Sequence, residues 1–174
     1  MKTKMKKSIL VAFYGLLMIT FSYGQEPSAS DLLTKLSKIS DQYGDKFDPT
    51  DVDDKITLIF VEGTNSTFSE IYAKFKGKKL VKNVRVVAGW KNVMPDTEYK
   101  SKFKHMTDGF KSKEGLGKEG YSILFDLNSE SHKLLGLKVR YSIATVDVKE
   151  NQVDVENFGS DRIEFLKAIR KFFI

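Results

Sequence analysis

Residues 55–75 read KITLIFVEGTNSTFSEIYAKF, and the change of pattern inside this stretch decides the fold. Ile56 to Val61 form an apolar run of strand length, interrupted only by Thr57 and rich in β-branched and aromatic side chains. After a polar turn, Ile71, Tyr72 and Phe75 recur at intervals of three and four, the period of a helix from about Ser66 to Lys76, closed by Gly77. A buried strand feeding a helix is half of a βαβ unit. The plain reading of the turn is a capped helix start, with Ser66 or Thr67 as the cap and Glu70 completing a capping box. Asn65-Ser66-Thr67 is also a glycosylation sequon, which matters only in a eukaryotic secretory pathway.

The same reasoning extends in both directions. Upstream, residues 25–30 form a polar linker. Ser30 or Asp31 is the expected cap of a helix bearing Leu32, Leu33, Leu36 and Ile39, which Gly44 ends. An acidic loop with Pro49 fills residues 45–54. Downstream, NVRVVAGW at 83–90 reads as a second strand. Tyr99, Phe103 and Met106 predict a helix over 98–110, and the glycines of 111–120 predict a loop. Residues 121–125 are a short strand ending at Asp126, after which Asn128 or Ser129 caps a helix through Leu134 and Leu135 to Gly136. Residues 139–148 and 152–155 flank Lys149-Glu150-Asn151 as an antiparallel hairpin. Asp161 with Glu164 opens a last helix whose stripe is Leu166, Ile169 and Phe173, widened by Ile163, Phe165 and Phe172.

Composition bounds the chemistry. The 174 residues include no cysteine, so thiol–disulfide exchange and thiol peroxidase chemistry are excluded for this chain, as is lipobox-type lipidation. Lys2, Lys4, Lys6 and Lys7 precede an apolar run from Ile9 to Phe21, then small residues at Ser22 and Gly24. This is the pattern of a cleavable signal peptide over residues 1–24, cut between Gly24 and Gln25. The expected product is periplasmic or secreted, and not held at the membrane after cleavage. Residues 25–54 are then an N-terminal helix and acidic loop, and 55–174 the main domain. Without the leader's four lysines, 25 basic residues face 23 acidic ones, a net charge of +2. The charge is unevenly spread: residues 74–118 carry an excess of +9, residues 25–73 carry −6.

The order of elements over roughly residues 55–172 resembles the thioredoxin-like (redoxin) superfamily. A second stretch supports the resemblance: YSILFDLNSESHKLLGLKVRY at 121–141 looks like the family's strand ending at an Asp, short helix and "lgl-x-v" entry to the next strand. The resemblance implies an α/β three-layer sandwich, a mixed sheet of four to five strands with helices on both faces, here with an extra N-terminal helix. In the family a C-x-x-C pair opens the helix after the first catalytic strand, where the helix terminus stabilises a thiolate. The matching window here is Asn65-Ser66-Thr67-Phe68. The family's cis-proline falls at Ser142 or Ile143, where no proline stands and trans geometry is expected. Two parts of the redox site are missing together.

The resemblance places function, if any is inherited, on Glu62, Thr64, Asn65, Ser66, Thr67, Phe68, Ser142 and Ile143, a groove suited to a protein or peptide partner. No catalytic residue, metal or cofactor is expected. His105 and His132 lie in helix-like segments, His132 on a solvent-facing pattern, neither beside an orienting carboxylate, so a hydrolytic triad and a zinc site are both disfavoured. Asp48, Asp51, Asp53 and Asp54 read as a solvated loop rather than a calcium site. Trp90 packs by default. Lys76, Lys78, Lys79 and Lys102 form a basic surface, with Phe75 and Phe103 turned to the core. Two alternatives to a binding protein follow: a redoxin-related enzyme using a non-cysteine site or bound cofactor, and an envelope protein holding an anionic polymer on those lysines. Nucleic acid is disfavoured by the leader and by only four arginines.

Overall fold

The computed structural model describes residues 27–41, 43–62, 65–75, 78–89, 123–137 and 141–174. Outside these lie the leader expected over residues 1–24, Thr64, Lys76, Gly77, Trp90, Lys102, His105 and the helix and loop expected over 98–120. Strand β1 (Lys55–Glu62) is the axis of a five-stranded mixed sheet. Helix α2 (Asn65–Phe75) follows it, then β2 (Val84–Gly89), β3 (Ile123–Asp126) and the short helix α3 (Glu130–Leu134). Strands β4 (Tyr141–Asp147) and β5 (Gln152–Gly159) form a hairpin, and helix α4 (Arg162–Ile169) runs into a 3-10 turn at Arg170–Phe172. Helix α1 (Ala29–Leu36) precedes them all.

The sheet order is β3-β2-β1-β4-β5. β1 pairs with β2, and β2 with β3, in parallel; β4 is antiparallel to both β1 and β5. Because β1 is covered on both faces, it needs apolar residues at nearly every position, which is why it reads as a nearly continuous run. Its side chains divide between two cores. Ile59 and Val61 join Ile71 and Phe75 of α2, Phe165 and Ile169 of α4, and Phe173. Ile56, Leu58 and Phe60 join Leu32, Leu33 and Leu36 of α1, with Leu134 and Leu135 packed against them. The outcome is the expected three-layer sandwich with helices on both faces and an added N-terminal helix.

Local expectations were met unevenly. Asp161 caps α4 by accepting from the Glu164 N–H at 3.1 Å. Asn151 takes the hairpin's left-handed position at φ +52°. Its main-chain carbonyl and side-chain Oδ1 accept from the N–H groups of Ala29 (3.3 Å) and Ser30 (3.0 Å), which fastens the start of α1 to the hairpin. Phe75 stacks on Phe173 with ring centroids 4.0 Å apart.

Four readings are corrected and a fifth is refined. The cap of α1 is Ser28, whose Oγ accepts from the Asp31 N–H, so Ser30 and Asp31 lie inside the helix. That helix stops at Leu36, and Gly44 instead serves a turn at φ +89°. Ser66 and Thr67 lie within α2, which already begins at Asn65. Ile163 faces solvent, 64% exposed, because in the first turn of α4 it points away from the buried side that carries Phe165 and Ile169. Ser129 holds the N-cap position of α3, as one of the two expected, but makes no side-chain capping bond there; Asp126 supplies those bonds, as described next.

Candidate functional site

The register of the three parallel strands brings their carboxyl ends level. Glu62 stands opposite Gly89, and Gly89 opposite Asp126. On the other side of β1, Val61 faces Tyr141 and Phe60 faces Ser142. The start of α2 and the start of β4 are therefore at the same end of the sheet, where open α/β folds place their ligands.

The expected groove residues divide. Glu62 is half-buried at the end of β1, and Asn65, Ser66, Thr67 and Phe68 make the first turn of α2. Thr67 is buried. Ser142 is also buried, and its hydroxyl donates to Asn157 Oδ1 at 2.8 Å across the hairpin. Ile143 is a core residue, 4% exposed, in the same cluster as Tyr141 and Phe165. Strand register thus brings Ser142 to the same end as the α2 start, whereas the Ile143 side chain is committed to packing. Of the basic surface, Lys78 and Lys79 are exposed; the main chain of Lys79 exchanges hydrogen bonds with that of Ile174 at 2.9 Å each way.

A second constellation occupies the same end of the sheet on its other face. The buried carboxylate of Asp126 accepts from the N–H groups of Glu130 and Ser131, both at 2.9 Å, and from the Ser131 hydroxyl. His132 Nδ1 stands 3.5 Å from Asp126 Oδ2. The imidazole meets the Phe60 ring edge-on at 4.8 Å and lies over Gly89. Burial pushes the Asp126 carboxyl upward, but the hydrogen bonds from His132, Ser131 and the Glu130 N–H outweigh it and hold the carboxyl below its ordinary value. This corrects the reading of His132 as solvent-facing and without an orienting carboxylate: its side chain is only 12% exposed.

Sequence reasoning missed this cluster because α3 is too short for its periodicity to assign a face. Two signals were available. An Asp ending a strand four and five residues before a helix's first N–H groups can cap it, and a glycine closing a strand marks a close approach. Ser131 donates to Asp126 rather than to His132, so the three do not form a nucleophile–base relay. The arrangement holds α3 against the sheet.

The acidic loop is absorbed structurally. Asp48 caps the 3-10 turn at Pro49–Asp51, and hydrogen bonds from the Thr50 hydroxyl and N–H lower its carboxyl. Asp53 faces Lys82 at 3.7 Å, and Asp54 faces Lys149 at 2.8 Å. Among the described residues, no group of three or more His, Asp or Glu side chains is placed to hold a metal.

No family model matches the chain, and no curated protein matches it. Among solved structures it is similar to the N-terminal domain of PilB from Neisseria gonorrhoeae. Identity there is 17%, over 80% of this chain and 91% of that one, with a TM-score of 0.54. The exposed lipoprotein thioredoxin Etrx1 of Streptococcus pneumoniae strain TIGR4 is 15% identical over 76% of this chain and 96% of its own, with a TM-score of 0.48. At such identities the likeness is one of architecture. With its sheet order, its helices on both faces and α2 as the next element after β1, the chain has a thioredoxin-like fold, and it has no cysteine with which to run thioredoxin chemistry.

Proposed function

We propose that this chain is an exported thioredoxin-like protein that binds a protein or peptide partner instead of exchanging disulfides. The observation that carries this reading is the coincidence of a thioredoxin-like fold with a sequence containing no cysteine. A fold of this kind keeps its strand-end groove when the thiols are gone, and an extended peptide can dock there through main-chain hydrogen bonds. The groove is assigned to the first turn of α2 and the opening of β4, which strand register brings to one end of the sheet. Export is argued from the lysine-rich start and the apolar run that follows it.

The test is to pan the full chain against displayed short random peptides and to measure the best binder against a groove-filled variant. Replacing Asn65 and Ser66 with tryptophan should weaken that peptide by about tenfold or more, with the melting temperature unchanged. Binding that survives the double replacement contradicts the assignment.

A further inference from the structure

The two edges of the sheet are treated differently. At one edge, β3 is four residues long and is covered: Asp41 bridges to Leu124, and the Phe125 N–H donates to the Ser40 carbonyl at 3.0 Å. At the other, β5 is eight residues long, and among the described residues nothing pairs with its outer side. Exposed edges are usually blunted by proline, short length, a bulge, a covering segment or charged side chains, and of these β5 relies on its acidic side chains. β5 has no proline, and its register is regular from Gln152 to Asn157; the one irregularity lies beyond, between Tyr141 and Ser142.

The two faces of β5 differ in character. Val153 and Val155 are half-buried against the core that contains Leu58 and Val146. On the opposite face Asp154 and Glu156 are exposed, with Thr145 and Ile143 as their respective neighbours in β4. Among the described residues neither carboxylate has an ion pair or a hydrogen bond. Lys55, which feels the charge of Asp154, is bonded to Asp147 at 2.7 Å. A strand added outside β5 would meet two carboxylates outside any ion pair, spaced two residues apart on one face, and valines on the other.

That pattern decides the occupant. A second copy pairing β5 against β5 would set Asp154 and Glu156 opposite one another or opposite themselves, and like charges directly across strands destabilise pairing. We infer that the outer edge of β5 is a β-augmentation site for an extended peptide carrying lysine or arginine at alternate positions, separate from the strand-end groove. Main-chain hydrogen bonds along β5 supply the attachment. The alternating basic residues supply selectivity by standing across from Asp154 and Glu156.

The experiment titrates the full chain with a peptide of alternating lysine and valine matching β5 in length, while amide exchange is followed along β5. The expected result is saturable binding that slows exchange in residues 152–157. Charge reversal by Asp154→Lys with Glu156→Lys should weaken it about tenfold or more. The same peptide with alternate backbone nitrogens methylated keeps its charge but cannot pair, and should not bind. Three results overturn the inference: equal binding of the methylated peptide, binding unaffected by the charge reversal, or a β5-paired dimer of the free chain. Unchanged melting of the charge-reversal variant separates loss of the site from loss of the fold.

Discussion

The imidazole of His132 occupies the place of a side chain that Gly89 lacks. A β-carbon built on Gly89 would run into His132 Cε1 and stand 2.5 Å from its Nδ1. The closing residue of β2 is therefore glycine for reasons of space, and α3 docks on the sheet through that space. Gly89→Ala should cost about 1–3 kcal/mol, the range for overpacking a closed site. Combined with His132→Ala, which removes the clashing ring, the two penalties should fall well short of additive. Additive costs in denaturant unfolding would mean that the ring does not rest on Gly89.

Asp126 gives the fold a pH dependence with a defined sign. Its folded carboxyl is held below its unfolded value, so it binds fewer protons when folded. The stabilisation it brings is complete above the ordinary carboxyl pKa of about 4 and drains away as pH falls toward the lower folded value. Asp126→Asn removes the charge and should cost about 1–3 kcal/mol near neutrality. The gap between wild type and variant should narrow in acid. A gap that stays constant from neutral to acid pH would show that the carboxylate is not what holds the start of α3.

Asn151 joins two distant parts of the chain, the hairpin turn and the first turn of α1. Asn151→Gly keeps the left-handed backbone and loses the side-chain bond to the Ser30 N–H, at about 0.5–1.5 kcal/mol. Asn151→Ala should cost more, because alanine also resists a positive φ by about 1–2 kcal/mol. Equal melting temperatures for the two variants would contradict this division.

The two cores predict similar responses on opposite faces. Phe173→Ala removes a ring that is 4% exposed and stacked on Phe75, and should cost about 3–5 kcal/mol. Leu32→Ala, at a fully buried position on the inner face of α1, should cost about 2–5 kcal/mol. A cost below 1 kcal/mol for Leu32→Ala would mean that α1 is an appendage rather than a layer of the sandwich.

Much of the architecture was legible because it rests on patterns the sequence states directly. The run Ile56–Val61, apolar at every position but Thr57, is what a strand buried on both faces requires, and Leu32, Leu33 and Leu36 line one side of α1 as their spacing demands. The hairpin at Asn151 and the cap at Asp161 follow from local chemistry. What escaped was tertiary. Five residues of α3 cannot display a face, so His132 looked exposed until its contact with Gly89, 43 positions away, was seen. Ile143 was assigned to a groove by resemblance, while its alternation with Ser142 along β4 directs its side chain to the core. The length of β5, four residues beyond the expected end at Val155, reflects pairing with β4 rather than any apolar pattern, since its outward positions are Gln152, Asp154 and Glu156.

Restoring thiols at Asn65–Phe68, proposed to stand where a thioredoxin-like protein carries them, tests that placement most directly. In a chain with no other cysteine, Asn65→Cys with Phe68→Cys creates a single C-x-x-C pair in the first turn of α2. The measurement is the pH titration of thiolate absorbance in the reduced variant. If the window is the vacated redox site, the first thiol should ionise below the ordinary cysteine pKa of about 8.5, and the pair should exchange disulfides. A thiol that titrates at the ordinary value, in a variant that still folds, would contradict the assignment.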